Sequence, residues 1–374
     1  MDGPTNAVLD RAYAKAAAHE RLSLEEGTAL LEHGDTHVLC ALAHARRMHL
    51  HPEPTVTYIV ERNINYTNSC VTYCRFCAFY RRPGHEEVYV LTHDQLRAKI
   101  QEMVDAGGIQ ILLQGGHHPD LPLTWYEDML RFIKGEFPRV NVHGFSAPEV
   151  EHIAKVEDMP VRDVLARLRD AGLGTLPGAG GEMLVDRVRK IIAPLKTTTD
   201  DWIDVHRQAH RLGMRSTATM MFGHAETVAE RVEHLDRVRR LQDETEGFTA
   251  FILWTFQPDN TAMWRYTKLE SHAYLRATAV SRLYLDNVAN LQASWVTQGP
   301  RVAEISLRCG VNDMGSTMFG QTFVSSAGTT YCMNSEEIER SIRLCGFEPR
   351  RRNVFYAEGA ACARLPPRSG EART

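Results

Sequence analysis

Cys70, Cys74 and Cys77 stand as Cys-Val-Thr-Tyr-Cys-Arg-Phe-Cys, and this run constrains the chain more than any other feature. Three closely spaced thiolates can hold three corners of an iron–sulfur cube and leave its fourth iron without a protein ligand. An open iron can bind a small molecule and pass it an electron. The spacing differs from the paired Cys-x2-Cys units of four-thiolate zinc sites. It differs also from the Cys-x4-Cys-x2-Cys run of plant-type ferredoxins, which adds a distant fourth cysteine. The other five cysteines, Cys40, Cys309, Cys332, Cys345 and Cys362, are scattered. Each reads as a small buried residue, and no second cluster is indicated.

At 374 residues and 43% hydrophobic content the chain suits one large domain with a substantial core. A net charge of −4 gives no electrostatic case for nucleic acid or an anionic membrane. No apolar run approaches the roughly 20 residues of a membrane span. The N-terminus carries Asp2 and Asp10 without an apolar core, unlike a secretory signal. Eight cysteines in so long a chain do not form a disulfide framework, so a reducing cytoplasm is the expected compartment.

The N-terminal segment, about 8–48, has helical sequence, with a capping-box pattern at Ser23 and Glu26. After the break at His51-Pro52-Glu53-Pro54, residues 55–60 are β-branched and aromatic, as in a strand, and the cysteine loop follows. Strand-like runs then recur at 109–113, 140–145, 173–176, 214–221, 248–253 and 291–296, with a last unit near 305–311. Helical patterns lie between them, the second opening at Thr124 and Glu127 and the longest covering 272–290. Residues 335–374 add a helix capped by Asn334, a short segment at 353–356 and a polar tail. This alternation predicts a parallel sheet with right-handed crossovers, closed as a (β/α)8 TIM-like barrel. The expected organisation is a helical N-terminal extension (1–54), the barrel (55–334) and a C-terminal helix, strand and tail (335–374).

Barrel chemistry sits at the C-terminal ends of the strands. Those positions here carry Gln114-Gly115-Gly116-His117-His118, Ser146-Ala147-Pro148-Glu149, Gly178-Ala179-Gly180-Gly181-Glu182, Gly223-His224-Ala225-Glu226 and Asn312-Asp313-Met314-Gly315-Ser316. Paired glycines let a backbone approach a ligand closely. Ser146 is either a hydrogen-bonding partner of a ligand or a helix cap. Glu182 and Arg189, two helical turns apart, suit ribose hydroxyls and a carboxylate, though a solvated helix face looks the same.

The Cys-x3-Cys-x2-Cys run, with Phe76 before its third cysteine, resembles the radical S-adenosylmethionine (radical SAM) enzymes. Arg62-Asn63-Ile64-Asn65-Tyr66-Thr67-Asn68 and Cys77-Ala78-Phe79-Tyr80 resemble the group of futalosine-pathway and deazaflavin synthases. The loop Gln114-Gly115-Gly116-His117-His118-Pro119-Asp120, with Phe222-Gly223-His224 and Ser294-Trp295-Val296-Thr297-Gln298-Gly299, looks like that of menaquinone-pathway members. The late stretch Asn312-Asp313-Met314-Gly315-Ser316-Thr317, with Ser326-Ala327-Gly328-Thr329-Thr330, is most similar to the cyclic dehypoxanthinyl futalosine synthase family.

This resemblance implies a [4Fe–4S] cluster on Cys70, Cys74 and Cys77. It implies S-adenosylmethionine (SAM) bound among Phe76, Gln114, Gly115, Gly116, Ser146, Glu182 and Arg189. A 5′-deoxyadenosyl radical would take the ribose C4′ hydrogen of dehypoxanthine futalosine, and the sugar radical would close onto the benzoate ring. The base for rearomatisation is open among His117, His118, Glu149, His224 and Glu226. A flavodoxin or ferredoxin would supply electrons. The alternatives are an aminofutalosine synthase, whose adenosyl radical adds to an enolpyruvyl benzoate, and an iron–sulfur electron carrier without SAM chemistry.

Overall fold

The computed structural model describes residues 3–318, 320 and 325–358. The chain opens with α1 (Gly3–Ala17), α2 (Leu24–His33) and α3 (Thr36–Leu50). Ser23 and Glu26 form a reciprocal capping box on α2, and Asp35 caps α3 by accepting from the N–H groups of His37 and Val38.

Strands and helices then alternate. The first part comprises β1 (Thr55–Ile59), β2 (Glu61–Asn65), α4 (His93–Asp105), β3 (Gln110–Gln114), α5 (Leu123–Glu136), β4 (Asn141–Gly144), α6 (Ala147–Val156) and α7 (Val161–Ala171). Next come β5 (Thr175–Leu176), α8 (Asp186–Ile192), α9 (Thr199–Arg211), β6 (Arg215–Phe222), α10 (Val228–Thr245) and β7 (Phe248–Thr255). The last part holds α11 (Ser271–Tyr284), β8 (Leu291–Gln292), α12 (Trp295–Gln298), α13 (Pro300–Ser306), β9 (Asp313–Ser316), α14 (Ser335–Leu344) and β10 (Glu348–Arg351).

The strands run parallel in the order β10-β1-β9-β8-β7-β6-β5-β4-β3-β2. Only Val60 separates β1, which pairs with β9, from β2, which pairs with β3. The pairing therefore runs full circle through one broken strand, and the sheet is a TIM-like barrel. β10 occupies the lower part of the edge that β3 takes over further up, with Tyr58 opposite Arg351 and Glu61 opposite Gln110. Ile111, Leu113 and Val142 are fully buried beneath the outer helices. Among the described residues no helix is long and apolar enough to cross a membrane.

The structure corrects several expected elements. Residues 61–65, expected as loop, form β2, and 313–316, expected beyond an eighth strand, form β9 itself. Both are rich in buried polar residues, Glu61, Asn63 and Ser316 on the cavity side and Arg62 outward against Glu102 of α4, so hydrophobic patterning does not reveal them. Residues 300–306, at the edge of the expected last strand unit, are α13. The strand at 291–296 stops at Gln292, and 295–298 coils into α12. The tail strand is β10 at 348–351 rather than 353–356. No side chain caps α5: it starts after Pro122, and Glu127 binds Arg167 instead. Residues 147–156, which no expected element covered, form α6, and Ser146 is its cap. Cys362 lies outside the described residues.

Candidate active site

β2 delivers the chain to the cysteine loop, where Cys70 and Cys74 are buried and Cys77 is half-buried. Main-chain bonds pin this loop to three neighbouring segments. Cys70 N–H donates to Arg81 O (3.0 Å), Val71 N–H to His117 O (3.1 Å) and Arg75 N–H to Ile192 O (2.8 Å). Tyr73 takes the left-handed conformation, φ 50°, that turns the chain back between the first two cysteines. All three thiols line a cavity of about 360 Å³ inside the barrel.

Among the described residues no three acidic, histidine or cysteine side chains converge on a single ion. Three thiols spread along one wall are what a cube needs, since each iron takes one sulfur. Burial pushes the Cys74 thiol up to about 12, opposed by the charge of Lys196. Burial also raises Cys77, opposed by the backbone N–H groups of Tyr80 and Phe79. Those donors favour the thiolates that iron binding requires, so the donor set fits a cluster.

β3 ends in the glycine loop. A β-carbon on Gly116 would lie 2.1 Å from Ser69 O, and one on Gly115 would lie 2.4 Å from the Tyr66 ring. The close approach that these glycines permit is thus to the protein itself. Glu149 ties the region together. Its Oε1 accepts from Gly115 N–H (2.9 Å) and Tyr66 Oη (2.7 Å), and its Oε2 from Ser146 N–H (2.7 Å) and Ser146 Oγ (2.6 Å). Ser146 is the N-cap of α6 in a capping box with Glu149, and it also faces the cavity.

After β5, Glu182 reaches the cavity and pairs with Lys196 Nζ at 2.8 Å. Burial would raise the Glu182 carboxyl, but Lys196 and Arg189 outweigh it and hold it below its ordinary value. Burial disfavours charge on Lys196 too, and Glu182 with Cys74 reverses that. The ammonium also lies 5.2 Å from the centre of the Phe76 ring. Arg189 stands behind the loop, donating to Thr197 O (2.8 Å), Gly180 O (2.9 Å) and Thr197 Oγ1 (3.0 Å).

Phe76, Gln114, Gly115, Gly116, Ser146 and Glu182 therefore share the cavity wall with the cysteines, whereas Arg189 does not line it. Among the candidate bases, His117 and Glu149 line the cavity. His117 Nδ1 meets Thr72 Oγ1 at 2.7 Å. His118, His224 and Glu226 stand off the wall. His118 Nδ1 accepts from Asp120 N–H, and His224 Nε2 meets Met221 O. Glu226 accepts from the N–H groups of Gly223 and His224 and from Arg231.

Sequence reasoning missed Lys196 and the cavity floor. A single lysine in a loop carries no signal of its own, because solvated lysines look the same. The floor holds Glu61, Gln110, His143, Arg352 and Tyr356. Arg352 arrives from beyond β10 and grips Asp313 with Nε and Nη2.

Residues 64–238 match the model of the radical SAM superfamily, and residues 245–363 match that of the CofH/MqnC C-terminal region. The chain is 47% identical to the cyclic dehypoxanthine futalosine synthase of Halalkalibacterium halodurans, across 93% of this chain and 94% of that protein. The Streptomyces coelicolor protein of the same description is 44% identical, across 93% and 87%. The chain belongs to the cyclic dehypoxanthine futalosine synthase family of radical SAM enzymes.

The aminodeoxyfutalosine synthase of Thermus thermophilus is 38% identical, across 92% of this chain and 94% of that protein. The crystal structure of HydG, a maturase of the [FeFe]-hydrogenase, shares the fold. Its TM-score is 0.74 at 17% identity, covering 97% of this chain and 81% of that one. Members of the radical SAM superfamily use a [4Fe–4S] cluster and SAM, and this chain is an enzyme of that kind.

Proposed function

We propose that this enzyme cyclises dehypoxanthine futalosine in menaquinone biosynthesis, joining the ribose C4′ to the benzoate ring. The observation that carries the reading is the 47% identity across nearly the whole chain to a cyclic dehypoxanthine futalosine synthase, against 38% to an aminodeoxyfutalosine synthase. Cys70, Cys74 and Cys77 would hold the cluster, and the adjoining wall would take SAM. Bound there, the two supply a 5′-deoxyadenosyl radical able to remove the C4′ hydrogen.

The protein's part is placement and shielding. Glu182, on the cavity wall, would accept from the ribose hydroxyls, and Lys196, with one N–H on Glu182, would have others left for the methionyl carboxylate. Arg189 holds the backbone of that loop. Glu149 sets the glycine loop against the cysteine loop. The barrel wall keeps water from a radical that must meet its target hydrogen first. The proton lost on rearomatisation would go to one of the two candidate bases on the cavity wall, His117 or Glu149; burial weakens His117 as a base and raises the Glu149 carboxyl. A soluble one-electron donor, a flavodoxin or ferredoxin of the cytoplasm, completes the scheme.

Substrate deuterated at C4′ tests the reading. Turnover should deliver deuterium into 5′-deoxyadenosine together with a cyclic product. An adenosyl adduct formed without deuterated 5′-deoxyadenosine would establish the aminofutalosine-type reaction instead.

A further inference from the structure

A hydrogen-bonded chain crosses four neighbouring strands at the floor of the cavity. Gln110 Nε2 donates to Glu61 Oε2 (2.5 Å), and Asn141 Nδ2 donates to Gln110 Oε1 (2.8 Å) and to Thr175 Oγ1 (3.1 Å). Thr175 Oγ1 then meets His143 Nδ1 at 2.8 Å. Thr175 is fully buried, and Nδ1 is the only acceptor beside its hydroxyl among the described residues. A buried hydroxyl without an acceptor is costly, so the threonine proton goes to Nδ1 and the imidazole carries its own proton on Nε2.

His143 is 6% exposed, and that exposure is to the cavity it lines. Its Nε2 has no protein partner among the described residues and is not among the enclosed unsatisfied atoms. A donor of fixed orientation thus points into the space where a substrate must lie.

The surroundings define what it can meet. The two cations on the cavity wall are already paired, Lys196 with Glu182 and Arg352 with Asp313. Glu61 is held by Gln110, and its burial favours the neutral acid. Burial and the nearby Arg352 keep the His143 imidazole neutral, at about 3, so it serves as a donor and not as a base. His143 is opposite Leu112, three residues before Gly115 on the adjoining strand. At strand rise this places it roughly 10 Å below the glycine loop. The ribose must stay at the upper end, beside SAM, so the other end of the substrate reaches down.

We propose that His143 is a substrate-binding residue whose Nε2–H, oriented by Thr175, donates to the carboxylate at the benzoate end of the substrate. This rests on the cyclase reading above and extends it to a residue that contacts neither cluster nor SAM.

The test compares dehypoxanthine futalosine with an analogue lacking the ring carboxylate, in wild-type, H143F and H143Q enzymes carrying reconstituted cluster. H143F should raise KM for the full substrate by about ten- to hundredfold, the range of a hydrogen bond to a charged group. KM for the analogue should be alike in wild type and H143F, and SAM affinity and cluster absorption should be retained. H143Q, which restores an N–H donor, should recover part of the loss. Wild-type KM for the full substrate in H143F overturns the assignment, as does an equal rise for both substrates. T175V provides a second route should H143F fail to assemble: it should narrow the preference for the full substrate, and an unchanged preference overturns the proposal. Failure of the wild-type enzyme to cyclise either compound would instead defeat the cyclase reading.

Discussion

Gly116 and Ser69 approach so closely that a β-carbon on the glycine would lie 2.1 Å from the serine carbonyl oxygen. The loop after β3 therefore rests directly on the backbone of the residue before Cys70. The two loops that face the cavity mouth are one mechanical unit.

Gly116→Ala should damage the cluster as well as SAM binding. Backbone atoms block the new methyl group, so the cysteine loop must shift, at about 1–3 kcal/mol of overpacking. Visible absorption of the reconstituted variant and its melting temperature check this. Full cluster content with wild-type stability would show that the loops separate freely.

Cys74→Ala should abolish cluster assembly and SAM cleavage, as should Cys70→Ala and Cys77→Ala. Cys40→Ala and Cys345→Ala should retain both, because they lie away from the cavity. Iron content and 5′-deoxyadenosine formation are the measurements. A cluster-loaded, active Cys74→Ala enzyme would remove the assignment.

Lys196→Met should weaken SAM binding and lower stability by about 3–5 kcal/mol, since it strands the buried Glu182 carboxylate. Arg189→Ala should act on stability first, because its guanidinium holds Gly180 O and Thr197 O. Anaerobic calorimetry with SAM and thermal melts would separate the two. Unchanged SAM affinity in Lys196→Met would exclude that lysine from the site.

Glu226 predicts a limb of acid sensitivity. Burial alone would raise its carboxyl, but His224, Arg231 and the Gly223 N–H overcome this and lower it from 4.5 to about 2. A depressed carboxyl contributes stability that is complete above its unfolded value and disappears as pH falls through its folded one. The contribution, roughly 3 kcal/mol, should therefore be lost between about pH 4.5 and 2. Glu226→Gln should flatten urea-unfolding stability across that window. An acid limb identical to wild type would show that other carboxylates dominate.

Much of the site was legible in the chain because its chemistry is local. The cysteines lie within a single loop, and the glycine pair directly follows an apolar strand. The capping box at Ser23–Glu26 joins residues three apart, and Ser146 was readable as a helix cap. Contributions from distant positions were not legible. Thr57 donates to Asp313, which Arg352 grips from the other side. Thr57 lies 256 residues before Asp313 and further still from Arg352. It read as part of a strand, Asp313 as part of a strand-end loop and Arg352 as tail, and nothing local joined them.

The amino-acid sequence alone determined the three-thiolate loop and the alternation of strands and helices, since spacing and local pattern encode them, whereas the contacts of Gly115 and Gly116 with Tyr66 and Ser69 came from the tertiary structure. Only the tertiary structure decided that the barrel closes through the break at Val60. It also decided that His117 and Glu149 face the cavity while His224 and Glu226 do not, and that Lys196 and His143 join the wall. Which way a side chain points in a closed parallel barrel depends on strand register around the whole ring. That register is set by the packing of every strand at once, so no single segment records it.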